Sequence, residues 1–142
     1  MKEIRIVLMV DDNPADVDLA REALRECAYR SRFTTAGDGE EAMAFLKRCC
    51  THGAEQVPDL VILDLNLPKK NGRAVLAELK SNPEYQKIPV VVFSTSQLGS
   101  DICSSYELGA NCYVRKPGNL KDFVSAVKAI EEFWFVTTSL PQ

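Results

Sequence analysis

One apolar run that ends in a single acid constrains the fold of this chain more than any other feature. The run from Leu60 to Leu63 contains no polar residue, and Asp64 follows it directly. Such a run is typical of a strand covered on both faces, as in the parallel sheet of an α/β protein. Pro68 and Gly72 then mark a loop. Asp64 is therefore expected at the carboxyl end of a central strand, where open α/β sheets bind ligands. It is a nucleophile, a metal ligand or both there, unless it only caps the next turn.

The rest of the chain repeats this pattern of a strand followed by a helix. The predicted strands cover residues 4–10, 33–36, 60–63, 89–93 and 112–114. A segment of helical periodicity follows each strand, and Asn13, Asp38 and Asn119 are placed to cap three of these helices. The polar stretch 51–57 is predicted to be a loop. Strict alternation of strands and helices predicts an α/β fold, with a five-stranded parallel sheet and helices on both of its faces.

The composition is that of a globular cytoplasmic protein. The chain has 142 residues, the size of one domain, and an ordinary apolar fraction of 46%. A formal net charge of −3 argues against a general nucleic-acid binder, which is normally basic. No stretch predicts a membrane span or a signal peptide. The five cysteines form no C-x-x-C motif, which indicates reduced thiols. Adjacent Cys49 and Cys50 leave a metal or redox site as an alternative.

Four of the five predicted strands end in polar side chains. These are Asp11 and Asp12, Asp64, Ser94 and Lys116. Because parallel strands end along one edge of their sheet, the side chains are expected to converge. Carboxylates that lie close together repel one another, and a hard cation such as Mg²⁺ removes that conflict. With an ammonium and a hydroxyl group nearby, the set fits a phosphoryl group, which an aspartate can accept covalently. Each residue alone has a simpler explanation, such as a helix cap or a solvated lysine.

These strand ends resemble the receiver domain of two-component response regulators, over roughly residues 4–134. The family pattern is an acidic pair after the first strand, an Asp that ends the third, a Ser or Thr that ends the fourth, and Lys-Pro after the fifth. All of these are present, and the run from Asp64 to Pro68 with the later Gly72 is the most specific part. The resemblance implies a flavodoxin-like fold with the strand order 2-1-3-4-5.

The resemblance also implies the chemistry of the site. Asp64 would accept a phosphoryl group from a histidine kinase, so the protein would be a phosphoacceptor switch rather than an enzyme with an external substrate. Mg²⁺ or Mn²⁺ would be held by Asp12, Asp64 and the backbone carbonyl of Asn66, with Asp11 acting through water.

The family's switch pair is matched by Ser94 and Tyr113. In that scheme the hydroxyl group moves to the phosphoryl oxygen and the aromatic ring turns inward. Ser94 stands where Thr is commoner, which leaves the role intact. The resemblance further implies a cis peptide bond between Lys116 and Pro117, which would aim the ammonium group at the phosphoryl site.

A narrower resemblance is to the small response regulators that partner bacterial phytochromes. It rests on residues 64–73, 106–113 and 132–140. Those proteins are stand-alone receivers that tend to form dimers. The implied organisation is a single receiver domain over residues 1–142, with a short C-terminal extension from about residue 135 and no DNA-binding domain. A phytochrome histidine kinase would be the partner.

The sequence predicts a homodimer built on the fourth and fifth strand-helix units and the C-terminal segment. The last helix has an apolar stripe at Leu120, Phe123, Val127, Ile130 and Trp134. Phe133, Trp134, Phe135 and Val136 are four consecutive large apolar residues, which would occupy all sides of a helix or both faces of a strand, and Leu140 comes later. These five residues are the predicted dimer interface. One core does not easily bury them all, and an exposed apolar patch of this kind marks an interface. The alternative is a tail that folds back over its own domain.

Three other functions fit parts of the pattern. A Mg²⁺-dependent phosphohydrolase with Asp64 as nucleophile usually has an Asp-x-Asp motif after an early strand, whereas here Asn66 replaces the second acid. A flavodoxin would need a phosphate-binding loop rich in Ser, Thr and Gly after the first strand, where this chain has Asp-Asp-Asn-Pro. A degenerate receiver that only binds partners is the third alternative, and the complete set of site residues argues against it.

Overall fold

A computed structural model of the protein describes residues 4–27, 30–51 and 57–140, without the side chains of residues 50 and 51. Within these ranges, strands and helices alternate as predicted. The strands are β1 (Arg5–Val10), β2 (Ser31–Ala36), β3 (Leu60–Leu63), β4 (Val90–Ser94) and β5 (Cys112–Arg115). The helices are α1 (Pro14–Arg25), α2 (Gly39–Thr51), α3 (Gly72–Ser81), α4 (Gly99–Glu107) and α5 (Leu120–Glu132). Most of the predicted loop at 51–57 lies outside the described residues.

The sheet has the order β2-β1-β3-β4-β5, and each pair of neighbouring strands is parallel. The predicted flavodoxin-like topology is therefore confirmed. Val10 pairs with Leu63, so the residues that follow β1 and β3 leave the sheet at the same level. Ser94 pairs with Arg115 at the end of β5. The register alone thus brings four of the predicted strand ends to one edge.

Two apolar layers cover the sheet, which explains the unbroken apolar strands. Alternate residues of β1 point to opposite faces: Leu8 joins the layer with α2 and α3, and Met9 joins the layer with α1 and α5. All six residues of β1 and all four of β3 are buried. A strand packed between two helical layers has no solvent-facing side, so it contains no polar alternation.

The predicted caps form, and they fix where the helices begin. The side chain of Asn13 accepts hydrogen bonds from the backbone N–H groups of Ala15 and Asp16. Asp38 accepts from the N–H of Glu41 at 2.8 Å. Helix α3 begins at Gly72, because the side chain of Asn71 caps it by accepting a hydrogen bond from the N–H of Ala74. Each cap satisfies N–H groups that have no partner inside the helix.

The C-terminal segment corrects one part of the predicted pattern. After α5 the chain makes a π-helical turn, Phe133–Thr137. This wider turn inserts a residue into the helical spacing, so Phe135 is buried against the α1 and α5 layer, while Trp134 is only half-buried. Phe133 and Val136 stay 50% and 61% exposed. At the other end of α5, Leu120 is 65% exposed, so its predicted inward position is wrong.

Candidate functional site

Three carboxylates meet at one edge of the sheet. Asp11 and Asp12 follow β1, and Asp64 follows the neighbouring strand β3, where its N–H donates to the carbonyl of Val10 at 2.9 Å. Ligand atoms of the three acids all lie within 4.8 Å of one another. Asp11 and Asp64 are buried, and Asp12 is exposed. Oxygen donors at this spacing, with one side open, fit a hard divalent cation that keeps part of its water shell.

Lys116 joins this acidic group from the end of β5, the edge strand that lies two strands away from β3. Its N–H donates to the carbonyl of Ser94 at 2.8 Å, which ties the end of β5 to the end of β4. Lys116 Nζ lies 5.9 Å from the ring centre of Phe93 in β4, 2.6 Å from Asp11 Oδ2 and 3.0 Å from Asp64 Oδ2. The predicted convergence of Asp11, Asp64 and Lys116 is therefore present in the structure.

The peptide bond between Lys116 and Pro117 is trans, as are the other described peptide bonds. The prediction of a cis bond there is wrong. The long lysine side chain reaches both carboxylates with the trans bond, so no special backbone geometry is needed to bring the ammonium group to Asp64.

Sequence reasoning missed a fourth carboxylate, that of Asp16. Lys116 Nζ lies 2.9 Å from Asp16 Oδ2. An acid in the first turn of a helix is already explained by the helix dipole, so the sequence position of Asp16 gives no reason to expect a contact with Lys116. The sequence does indicate that α1 begins two residues after Asp12, so its first turn lies beside the strand ends.

Two groups of the site have a shifted pKa. Burial raises the pKa of Asp11, and hydrogen bonds from Lys116 and from the N–H of Asn13 offset part of this rise. Burial by itself would lower the pKa of Lys116, but hydrogen bonds to Asp11 and Asp16 and the charges of the nearby acids outweigh it, so its pKa is raised. The ammonium group therefore stays charged at neutral pH and serves as a fixed positive charge beside Asp64.

The proposed switch residues are linked through one short segment. Ser94 is fully buried at the end of β4, and its hydroxyl oxygen accepts from the N–H of Ser96 at 3.3 Å. The hydroxyl group of Tyr113 donates to the carbonyl of Ser96 at 2.9 Å. The loop that follows β4 thus contacts both residues.

This loop is also tied to two helices by residues that sequence reasoning did not single out. The hydroxyl group of Ser96 donates to Asp101 at the start of α4. The same carboxylate forms an ion pair with Arg73 at the start of α3. No periodicity or motif marks such a pair, because it depends on how two helices lie side by side.

Gly72 allows α3 to begin against the backbone of the acid. A Cβ atom at this position would lie 2.3 Å from the carbonyl oxygen of Asp64, far inside any real contact. The N–H of Gly72 donates to the carbonyl of Leu65 at 3.0 Å, which closes the loop after β3. Lys69 takes up a left-handed conformation in this loop, with a φ of 62°.

The carboxyl edge of the sheet carries an acidic pair, a single acid, a hydroxyl group and a lysine. Together with this strand order, these groups define a receiver domain. The sequence profile of the response regulator receiver domain matches residues 7–128. The chain belongs to this family, whose members bind a divalent metal and generally act as switches in two-component systems.

Among known proteins, the chain is similar to response regulator Rcp1 from Synechocystis sp. The two are 45% identical over 137 residues, which cover 96% of this chain and 93% of Rcp1. The crystal structure of the phosphorylated cyanobacterial phytochrome response regulator RcpA superimposes with a TM-score of 0.92 at 48% identity, covering 97% of this chain and 99% of RcpA. The Mn²⁺-bound form of Rcp1 gives a TM-score of 0.90 at 45% identity, with coverage of 97% and 99%.

Proposed function

We propose that Asp64 accepts a phosphoryl group from a histidine kinase and that this modification switches the protein between two partner-binding states. The observation that supports this most directly is the position of Lys116 Nζ, 3.0 Å from Asp64 Oδ2 and within a group of carboxylates. An acid beside a fixed cation is suited to a reaction in which charge moves onto transferred oxygens.

In the proposed transfer, an oxygen of Asp64 forms a bond to phosphorus as the bond between phosphorus and the donor breaks. The bonding electron pair leaves with the donor, which is the imidazole of the kinase histidine. Lys116 keeps its proton and neutralises negative charge on the transferred oxygens. Loss of the phosphoryl group to water resets the protein, so it acts on no external substrate and is not an enzyme in the usual sense.

The residues around Asp64 fit a divalent metal by the spacing of their oxygens. We propose that Mg²⁺ or Mn²⁺ is held by Asp12, Asp64 and the backbone carbonyl of Asn66, with Asp11 acting through a water molecule. The metal would offset negative charge on the phosphoryl oxygens. Asp11 already accepts from the N–H of Asn13 at 2.9 Å and Asp64 from that of Asn66 at 3.1 Å, so both carboxylates have fixed orientations.

The response to phosphorylation would run through Ser94 and Tyr113. The hydroxyl group of Ser94 would move to a phosphoryl oxygen and release the N–H of Ser96. Because Tyr113 donates to the carbonyl of that same residue, its ring would respond to the movement. This gives two states of one surface, which is what a phosphorylation switch requires.

A phytochrome kinase is the proposed partner, because RcpA is a cyanobacterial phytochrome response regulator and is 48% identical to this chain. We also propose a single receiver domain whose C-terminal extension, from about residue 135, forms a homodimer. Exposed Phe133 and Val136, with half-buried Trp134 and Leu140, supply the apolar surface. Phe135 supports that surface from inside the core.

Intact-mass spectrometry after incubation with acetyl phosphate and Mg²⁺ tests the acceptor. We expect one added phosphoryl group on the wild-type protein and none on Asp64→Asn. Asp122→Asn, an exposed acid in the first turn of α5, is the matched control and should be modified normally. A phosphoryl group on Asp64→Asn would refute the assignment, and continued turnover of a phosphomonoester would favour a phosphohydrolase instead.

Calorimetric titration with Mg²⁺ tests the metal site separately. Asp12→Ala should weaken the affinity at least about tenfold, since even residues behind the ligands commonly contribute that much. Asp122→Ala should leave the affinity unchanged. Equal affinity of Asp12→Ala and wild-type protein would contradict the ligand set.

A further inference from the structure

Three carboxylates surround the Lys116 ammonium group, and they occupy different parts of the fold. Nζ lies 2.6 Å from Asp11, 3.0 Å from Asp64 and 2.9 Å from Asp16. An ammonium group has three N–H donors, so these contacts use all of them. Asp11 and Asp64 stand at strand ends, whereas Asp16 stands on α1.

Asp16 differs from the other two acceptors in its chemistry. Asp11 and Asp64 belong, with Asp12, to the group whose oxygens lie within 4.8 Å of one another, and Asp16 does not. Metal binding or phosphorylation would change what Asp11 and Asp64 offer to Lys116. An oxygen of Asp64 that carries a phosphoryl group has lost its negative charge and is a weaker acceptor.

The backbone of Asp16 is also held in place. The N–H of Asp16 donates to the capping side chain of Asn13 at 3.2 Å, which fixes the first turn of α1 directly behind the acidic pair. Its side chain is only 19% exposed, so its contact with Lys116 is partly shielded from water. Shielding strengthens a charge-assisted hydrogen bond relative to one at the open surface.

We propose that Asp16 is a positioning residue that holds the Lys116 ammonium group at the site while the contacts of that group with Asp11 and Asp64 change. This inference rests on the proposed phosphorylation of Asp64. One N–H stays bonded to Asp16, and the N–H released from Asp64 turns to an oxygen of the transferred phosphoryl group. Lys116 keeps its proton throughout, and no bond of Asp16 is made or broken in the transfer itself.

The rate of phosphorylation by acetyl phosphate at saturating Mg²⁺ tests the proposal. Asp16→Ala should lower this rate about 3- to 10-fold, because a loosely held group contributes less to a transfer that depends on position. Asp16→Asn retains an acceptor oxygen and should recover part of the loss. Asp122→Ala is the control, since Asp122 occupies the same position after the capping Asn119 of α5 and its carboxylate accepts a hydrogen bond from the side chain of Asn119. A rate equal to or above that of the wild type in Asp16→Ala would overturn the proposal and identify Asp16 as only a repelling charge.

A double-mutant cycle separates positioning from a general effect on the fold. If Asp16 acts through Lys116, Asp16→Ala should cause no further loss in a Lys116→Ala background. The same fold-loss in both backgrounds would overturn the proposal. If the wild-type protein itself takes up no phosphoryl group, the proposed function fails, which is distinct from a wild type that is labelled normally and an Asp16→Ala variant that matches it.

A metal-free measurement gives a readout that is independent of phosphorylation. In protein labelled with ¹⁵N at the lysine side chains, the ammonium protons of Lys116 should be protected from exchange with water. Asp16→Ala should accelerate this exchange, and Asp122→Ala should not. Unchanged exchange in Asp16→Ala would show that Asp11 and Asp64 hold the ammonium group without help.

Discussion

Lys116 Nζ lies 2.6 Å from Asp11 Oδ2, although the two residues are 105 positions apart in the chain. Both side chains are almost inaccessible, with 4% and 1% of their surface exposed. This ammonium group is the counter-charge for buried acids that would otherwise repel one another. The acidic edge of the sheet therefore depends on a residue that the chain reaches only after its fifth strand.

Replacement of Lys116 by Ala should destabilise the metal-free protein. Loss of one partner from a buried ion pair leaves an uncompensated charge, and we expect the free energy of unfolding to fall by about 3 kcal/mol. Mg²⁺ should recover part of this loss, since a divalent cation supplies the missing positive charge. Urea unfolding with Mg²⁺ or with a chelator measures both effects. Lys128→Ala, which removes an exposed ion pair with Glu26, is the control. Equal stability of wild type and Lys116→Ala without metal would contradict this prediction.

Replacement of Arg73 by Ala should loosen the start of α4. Arg73 pairs with Asp101, and both side chains are partly exposed, so the expected effect is modest. Amide hydrogen exchange over residues 99–103 should accelerate roughly two- to fivefold, which corresponds to the energy of a partly exposed pair. Lys70→Ala removes an ion pair with Glu78 that does not involve α4 and should leave this exchange unchanged. Equal acceleration by both variants would mean that the effect is not specific to the connection between α3 and α4.

Polar replacement of Phe133 and Val136 should produce a monomer. These residues are 50% and 61% exposed and belong to the proposed dimer surface. Sedimentation velocity at micromolar concentration, with and without acetyl phosphate, measures the association state. Leu120→Ser, which changes a 65% exposed apolar residue at the other end of the same helix, should leave the dimer intact. A wild-type protein that is monomeric under both conditions would refute the dimer.

Replacement of Glu131 by Gln should stabilise the protein at neutral pH. Glu131 is buried, and no described residue donates a hydrogen bond to its Oε1. Burial raises its pKa above the ordinary value of 4.5, and contact with the Cys27 thiol offsets part of this rise. The folded state therefore holds the proton more tightly than the unfolded state, and stability falls as the pH rises from 4.5 through the raised pKa.

Gln removes this titration, so its advantage at pH 7 should be roughly 1 kcal/mol. The advantage should disappear in acid, where Glu131 is protonated in both folded and unfolded protein. Thermal unfolding monitored by circular dichroism between pH 4 and 8 measures the difference. Glu107→Gln, an exposed residue at the end of α4, is the control and should show no such dependence. An advantage that is independent of pH would contradict the assigned titration.

The strand ends were predictable because they depend on only two rules. Unbroken apolar runs identify covered parallel strands, and parallel strands end together. These rules suffice for Asp11, Asp64 and Lys116, which converge as expected. The narrower roles of Ser94 and Tyr113 came from the family resemblance, and the spacing of residues alone does not reveal them.

The features that sequence reasoning missed depend on rotation and packing. The contact between Asp16 and Lys116 requires α1 to turn one side of its first turn toward a lysine that follows β5. The pair of Arg73 and Asp101 requires two helices to lie side by side. The burial of Phe135 follows from one π-helical turn, which shifts every later side chain around the axis. Each of these is set by tertiary geometry that no local periodicity encodes.

The bare backbone of Gly72 has a mechanical consequence. Because Gly72 has no side chain, its backbone packs directly against the backbone carbonyl group of Asp64. A larger residue at this position would force one of the two main-chain segments to move. Arg73, the next residue, forms an ion pair with Asp101 of α4. A backbone contact at Gly72 and an ion pair at Arg73 thus connect the acid at the end of β3 to the start of α4.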